Sequence, residues 1–490
     1  MRALALRRLA ALSLVTLLLL TSCAGTLSVG FEQTPTPDPA PAATLTALQT
    51  EIDLLASALA TAVAPPTPAP TTLGRVAYIK GGDLWFVMAP TGPHQRLTID
   101  GYNREPRWSP SGEWLAYRKD RTVLLERDTP CRDPLRQGEP PCREIVSTFQ
   151  EQVWTMRRTG EASRVLNLGL TVRRFAWSPQ LDRLAYVSDQ GHLQVLDPVS
   201  EAEFRLVSAT SAARTGEIAW SADGARIAYE WLTDEDEVSP AAPNGGIFVI
   251  DAEGGQPQLV IRSARSIMNL AGWAGSEVLL WERDDRTAQP EVSAWLYAAR
   301  APQDAPTVMP RLLAPEAMLP LRDFVAAGPA NQDYPVALVT GAGPATWTNK
   351  SVVTGGFRTA PTLAAITPAW AGDEVRLAYV AMPDAPDVAL GAEAGPALQA
   401  RRVWIAAPAA GLIQQLTSDE RFRDERPQWS AQGTQILFAR ITTEGQASVW
   451  VIPANGGEPQ LVVDELTPAP DVVGNYGYID WGQHFDWWRG

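Results

Sequence analysis

From Leu73 to the end, the chain is a succession of short apolar runs separated by turns rich in Pro, Ser, Asp and Gly. The runs have the length of strands rather than helices, so the pattern predicts an all-β head. One unit recurs along it. Its first half is an apolar residue, a Trp, a tight turn, then a strand ending in Ala-Tyr or similar. The clearest copies are Arg107-Trp108-Ser109-Pro110-Ser111-Gly112 before Leu115-Ala116-Tyr117, and Ala176-Trp177-Ser178-Pro179 before Leu184-Ala185-Tyr186. Ala219-Trp220-Ser221-Ala222-Asp223-Gly224 before Ile227-Ala228-Tyr229 is a third, and Trp273, Trp370 and Trp429 open three more. Pro presets φ at the second turn position, Ser or Asp bonds the local backbone, and Gly accepts positive φ.

The second half of the unit is a strand with a central aromatic, a turn and a further strand. Its aromatics are Trp85, Trp154, Phe248, Trp295, Trp347, Trp404 and Trp450, with Gln194 as a polar exception, which makes eight positions. Trp347 has no opening Trp; Phe324-Val325-Ala326 and Val336-Ala337-Leu338-Val339 lie at the expected offsets and read as a degenerate sixth unit with Ala326 in the Trp place. Two half-units remain. Tyr478 to Gln483 is an opening strand with no continuation, and Arg75 to Ile79 with Asp83 to Val87 is a continuation with no opening. Joined, they complete one unit. The expectation is an eight-bladed β-propeller over 73–490, closed by strands from both ends. Seven blades would require the sixth unit to be something else. The recurring Trp and Tyr residues are expected between neighbouring blades. The aromatic tail, His484 to Arg489, is expected to pack on the head and lock the closure.

These repeats resemble the TolB-like, WD40-like (PD40-type) propeller repeats of bacterial envelope proteins, whose pattern runs P-x-W-S-P-D-G-x-x-L-A-Y. The resemblance is diffuse over most of 73–490. It implies the fold and says little of function. TolB itself carries an α/β domain ahead of its propeller; here a different kind of segment stands in that place.

Arg2, Arg7 and Arg8 precede a mostly apolar run from Leu9 to Leu20, too short to be a typical membrane span. Leu20-Thr21-Ser22-Cys23 follows and resembles the bacterial lipobox. Residues 1–22 are therefore expected to be a lipoprotein signal peptide, with Cys23 lipidated as the first mature residue. Several acyl chains would anchor the protein stably outside the cytoplasm, on the bacterial cell membrane. Ala24, in place of Asp, points to the outer membrane if the envelope has two. Residues 23–72 form a Pro-, Thr- and Ala-rich tether, extended at about 3.1 Å per residue where proline dominates. Inside it, Leu45, Leu48, Ile52, Leu55, Leu59 and Ala62 predict a short helix over 44–63. That helix is either a plain spacer or a weak self-association element.

The formal charge is −14, and loss of 1–22 removes three arginines and no acid, giving −17. That balance argues against nucleic acid. With three His and three Cys in the whole chain there is little material for zinc or histidine chemistry, and no metal or cofactor is expected.

Long insertions fall at 119–151, 233–245 and 382–401, all read as loops between the second and third strands of a unit, so one face is elaborated. The first contains Cys131 and Cys142, expected to form a disulfide in an exported protein. The second contains Asp234, Glu235, Asp236 and Glu237, without the spacing of a calcium loop. Arg104, Arg107, Arg173, Arg174, Arg322, Arg423 and Arg426 precede the opening strands and are candidate ligand-face residues near the channel mouth. They either grip an anionic ligand through forked hydrogen bonds or pair with Glu105, Asp323, Asp424 and Glu425.

The chain has no G-x-S-x-G elbow, P-loop or H-E-x-x-H motif, and no catalytic residue is assigned. The leading expectation is a non-catalytic, membrane-anchored scaffold that binds a protein or an envelope polymer through its decorated face. The alternative is an enzyme or small-ligand receptor using the central channel.

Overall fold

The structure is a computed structural model that describes residues 73–129, 142–233, 245–262, 267–283, 294–300, 311–317, 325–327, 336–340, 351–354, 357–360, 362–373, 375–384, 395–466 and 479–490. The leader, Cys23, the tether with helix 44–63, Cys131, the acidic stretch 234–237, Arg322 and Trp347 lie outside the described residues.

Eight four-stranded antiparallel sheets make up the head, arranged as a β-propeller. Blade 2 comprises Asn103–Trp108, Trp114–Thr129, Cys142–Arg157 and Arg164–Val165. Blade 3 runs Val172–Trp177, Leu184–Ser188, Leu193–Asp197 and Ala202–Val207; blade 4 runs Ala213–Trp220, Arg226–Thr233, Gly246–Asp251 and Gln258–Ile261. Blades 5 to 8 open with Ile267–Ala274, Val325–Ala327, Leu363–Trp370 and Phe422–Trp429. Blade 1 takes Arg75–Lys80, Asp83–Met88 and His94–Arg96 from the start of the head and Phe485–Trp488 from its end.

The repeat unit explains each blade. After the opening Trp, Ser109 Oγ accepts a hydrogen bond from Trp114 N at 3.2 Å, and Ser221 Oγ accepts one from Arg226 N at 2.9 Å. Gly112 has φ +68°, and a Cβ there would stand 2.5 Å from the Trp488 ring, so both backbone and space demand glycine. The following strand buries Leu115, Ala116 and Tyr117, and every equivalent strand is similarly buried.

The core lies between blades. Ala185 and Val187 of blade 3 pack with Ile218, Trp220 and Tyr229 of blade 4, and Val403 of blade 7 packs with Trp429 and Phe438 of blade 8. A polar bond repeats within these interfaces. The indole nitrogens of Trp177, Trp220, Trp273 and Trp429 donate to the carbonyls of Arg107, Ala176, Ala219 and Ala369, at 3.1, 3.0, 3.0 and 2.9 Å. Each acceptor immediately precedes the opening Trp of the preceding blade. The chain of bonds is not complete: Trp370 Nε1, which follows the Trp-less blade 6, and Trp108 Nε1 of blade 2 are both buried without a partner among the described residues.

Ring closure is confirmed, with its strand moved. The sequence points to Tyr478 to Gln483 as the opening strand of blade 1. Instead Trp481–Gln483 is a 3-10 turn, held by the Asp480 carboxylate accepting from Gly482 N at 3.1 Å. Phe485–Trp488, read as a locking tail, is the strand itself. It pairs Arg75↔Trp488, Val76↔Trp487, Ala77↔Asp486 and Tyr78↔Phe485. Val76↔Trp487 is the register of Leu115↔Trp108, so Trp487 holds the repeating Trp position. Trp487 Nε1 donates to Leu73 O at 2.7 Å, and Asp486 Oδ2 accepts from Trp108 N at 2.8 Å. Burial lowers the His484 pKa to about 4, so its ring packs against Trp481 as a neutral aromatic.

Three further positions shift. In blade 5, Leu280 faces Tyr297, so Tyr297 rather than Trp295 occupies the central aromatic register. In blade 6, Val353 faces Leu338 in that register, and Ala327, not Ala326, stands opposite Val336 in the Trp place. The insertion at 119–151 is not an irregular loop. Its ladder continues from Lys119↔Gln152 to Thr129↔Cys142, forming a hairpin arm.

Replacing Trp220 by Phe removes an interblade bond and strands the Ala176 carbonyl, whereas Trp370→Phe loses no such bond. Denaturant unfolding should show Trp220→Phe to be the costlier change by about 1–3 kcal/mol. Equal losses would mean that ring packing alone carries these interfaces.

Candidate ligand-binding face

Just before its Trp, the opening strand of most blades slips register. The breaks lie between Arg104 and Arg107, Val172 and Arg174, Thr215 and Ile218, Leu270 and Gly272, Ile366 and Ala369, and Glu425 and Gln428. Such bulges twist the strand and re-aim its side chains. Glu105, Thr367 and Arg426 hold left-handed φ values of 54°, 49° and 49° inside them. Of the arginines singled out in the sequence, all but Arg322, which is not among the described residues, stand in or beside these bulges.

Arg104 and Arg107 fasten blade 2 to the C-terminal segment. Arg104 donates to Asp120 Oδ2 at 2.9 Å, to Gln483 Oε1 at 2.8 Å and to Glu151, while Arg107 Nη1 donates to Gly482 O at 2.6 Å. Glu105 lies between them. Burial pushes its pKa up, but Arg107, Arg118 and Arg104 outweigh that and hold it below the ordinary glutamate value. Arg423 is buried with its Nε 2.9 Å from Glu425 Oε1. The same carboxylate pairs with buried Arg401 and accepts from Trp481 Nε1 at 2.8 Å. Burial brings the Arg401 pKa down to about 10 despite Glu425, which leaves it charged at neutral pH. Arg426 lies over the Phe485 ring, 5.6 Å from its centroid. Buried pairs of this kind are costly to break from one side.

Arg173 and Arg174 differ: both are exposed, and both line a pocket of about 320 Å³ shared by blades 2, 3 and 4. Arg173 Nε donates to Asp189 O at 2.9 Å, and Arg174 Nε donates to Glu217. The blade 4 wall is the bulge itself, Thr215, Gly216 and Glu217, with Glu230 behind it. Glu230 is 4% exposed and accepts from Leu270 N at 2.7 Å and Glu217 N at 3.1 Å. A Cβ at Gly216 would approach Glu230 Oε2 to 2.6 Å, so this carboxylate needs glycine beneath it.

Glu230 follows the repeat Tyr, as Arg118 does in blade 2. Arg118 pairs with Glu105 across its own bulge at 2.9 Å and donates to Val172 O of the next blade at 2.6 Å. Glu230 likewise spans its own bulge and reaches the next blade, with the polarity reversed. Burial, mainly, raises its pKa, and Glu217 adds to the effect. Thr215, Glu217 and Glu230 are not apparent from the sequence pattern. The only signal is positional: they fall at the bulge and at the residue after the repeat Tyr. Among the described residues, no group of three His, Cys, Asp or Glu side chains is placed to hold a metal ion.

A carboxyl whose pKa is raised by folding binds its proton more tightly in the native state. Stability therefore falls as pH rises from the ordinary glutamate range through the raised value. Glu230→Gln should flatten that decline in a melting-temperature series, and an unchanged slope would show that Glu230 titrates as an ordinary glutamate.

No protein-family profile matches the chain, and no curated protein matches it. Solved structures do. Porphyromonas gingivalis dipeptidyl peptidase 4 is 11% identical with a TM-score of 0.51, over 81% of this chain and 60% of the peptidase. An oligogalacturonate lyase in complex with manganese is 13% identical with a TM-score of 0.42, over 80% of this chain and 86% of the lyase. A TolB from Agrobacterium tumefaciens is 11% identical with a TM-score of 0.30, over 80% of this chain and 87% of that one. At these identities the likeness is one of fold, and the chain is an eight-bladed β-propeller.

Proposed function

We propose that this protein is a non-catalytic binding scaffold, lipid-anchored through Cys23 outside the cytoplasm, that engages a protein or envelope polymer through its decorated face. The observation that carries the reading is the blade 2 arm. Beyond Lys119↔Gln152 its two strands pair with one another through Asp120↔Glu151 to Thr129↔Cys142. At roughly 3.3 Å per residue this hairpin projects about 30 Å. A two-stranded hairpin without a covering layer is marginal by itself. Large apolar side chains stay open near its base: Tyr102 is 64% exposed, Phe149 60% and Leu168 97%. They are tied to it through the backbone and neighbours. Tyr102 O accepts from Asp120 N at 3.0 Å, and Gln150 Oε1 accepts from Thr171 N at 2.9 Å just after the turn bearing Leu168. Large apolar side chains left open on or beside one arm suit a macromolecular partner.

The test is crosslinking in intact cells followed by pulldown, comparing the full protein with a form in which 121–150 is replaced by a short turn. The expected result is loss of specific partners without loss of the folded head, and release of a Cys23→Ser variant from the membrane fraction. Identical partners for both forms would reject the arm as the binding element, and membrane retention of Cys23→Ser would reject the lipid anchor.

A further inference from the structure

The pocket of blades 2, 3 and 4 holds hydrogen-bonding capacity that the fold leaves unspent. Arg173 uses Nε on Asp189 O, and its two terminal nitrogens make no hydrogen bond among the described residues. Arg174 uses Nε on Glu217 and Nη1 on Arg173 O at 2.8 Å, leaving Nη2 over. Thr215 lines the same pocket, is 1% exposed, and its Oγ1 has no hydrogen-bond partner among the described residues. A buried hydroxyl without a partner is uncommon and asks for an explanation. Glu230 accepts from amide N–H groups and has no cation paired to it among the described residues, so lone pairs remain for a donor.

These groups select a ligand by chemistry. A guanidinium fork matches a planar carboxylate. Arg173, Arg174 and Arg214 face Glu151, Glu217 and Glu230 in the lining, so the formal charges balance and a singly charged anion fits better than a doubly charged one such as phosphate. An unspent hydroxyl beside an unspent carboxylate suits ligand hydroxyls, which both donate and accept. A volume of about 320 Å³ suits a molecule the size of one sugar and sits at the small end of ligand sites. Leu232 contributes an apolar side to the same wall.

We infer that this pocket binds a small hydroxylated monocarboxylate, a sugar acid in size, with its carboxylate on Arg173 and its hydroxyls toward Thr215 and Glu230. The inference goes beyond the scaffold reading and does not rest on the arm, so the pocket can fail while the arm stands.

The test is titration calorimetry on the full-length protein in detergent, with glucuronate, gluconate and quinate as probes and glucose, acetate and inorganic phosphate as controls. At least one hydroxy acid should bind saturably at one site, at least tenfold more tightly than every control. Arg173→Gln should weaken that binding at least tenfold and Thr215→Val severalfold, with both variants melting close to the parent. Absence of saturable binding by all three acids, equal binding of acetate or phosphate, or full affinity in Arg173→Gln would each overturn the assignment. Should Thr215→Val fail to fold, Arg173→Gln alone decides, since its side chain is exposed.

Discussion

A wheel of sheets stays shut only if its last strand finds its first, and here four residue pairs do that work. Phe485–Trp488 lies along Arg75–Tyr78, and the join is reinforced where Ile79 N donates to His484 O at 2.9 Å. Side chains add to it through Trp487 on Leu73 and Asp486 on the Trp108 amide. Each hydrogen bond contributes a net of about 0.5–1.5 kcal/mol. Several together are a large share of a typical folding free energy of about 5–15 kcal/mol. The contacts of blade 1 with blade 2 and with the C-terminal segment rest on that fastening.

Within the ring, one slot serves different ends. In blades 2 and 4 the residue after the repeat Tyr sits behind the bulge of its own blade and reaches the next. In blade 2 it is Arg118, which ties a bulge glutamate to a carbonyl. In blade 4 it is Glu230, which collects amide N–H groups and leaves the arginines of blade 3 facing an open pocket. A cation at this slot closes the bulge, whereas a carboxylate there leaves acceptors over. Geometry common to the blades thus yields a structural joint in one place and a candidate binding site in another.

Blade architecture was readable from residues because its constraints are local. Ser and Gly in the turn after Trp and the buried Leu-Ala-Tyr strand recur with their reasons attached, and they are enough to count eight blades. Register was less readable. Trp295 is the larger ring, yet Tyr297 faces Leu280, since pairing rather than residue size sets the register. At the end of the chain two Trp-bearing stretches competed. Asp480 folds the first into a turn, and the strand begins at Phe485. The arginines at 104, 107, 173, 174, 423 and 426 were visible as a set, but their fates differ. Partners distant in sequence decide two of them, Gly482 for Arg107 and Glu217 for Arg174, whereas Arg423 pairs with Glu425 two residues on. Thr215 and Glu230 have meaning only once blades 3 and 4 stand side by side.

The fastening of the ring can be read directly by hydrogen–deuterium exchange. In the full chain, amides of 75–80 and 485–488 should exchange slowly and together with the core of the blades. Removal of 485–490 should release protection at 75–80 first. Unchanged slow exchange at 75–80 in the truncated protein, or fast exchange of 485–488 in the intact one, would contradict a wheel closed by both ends of its chain.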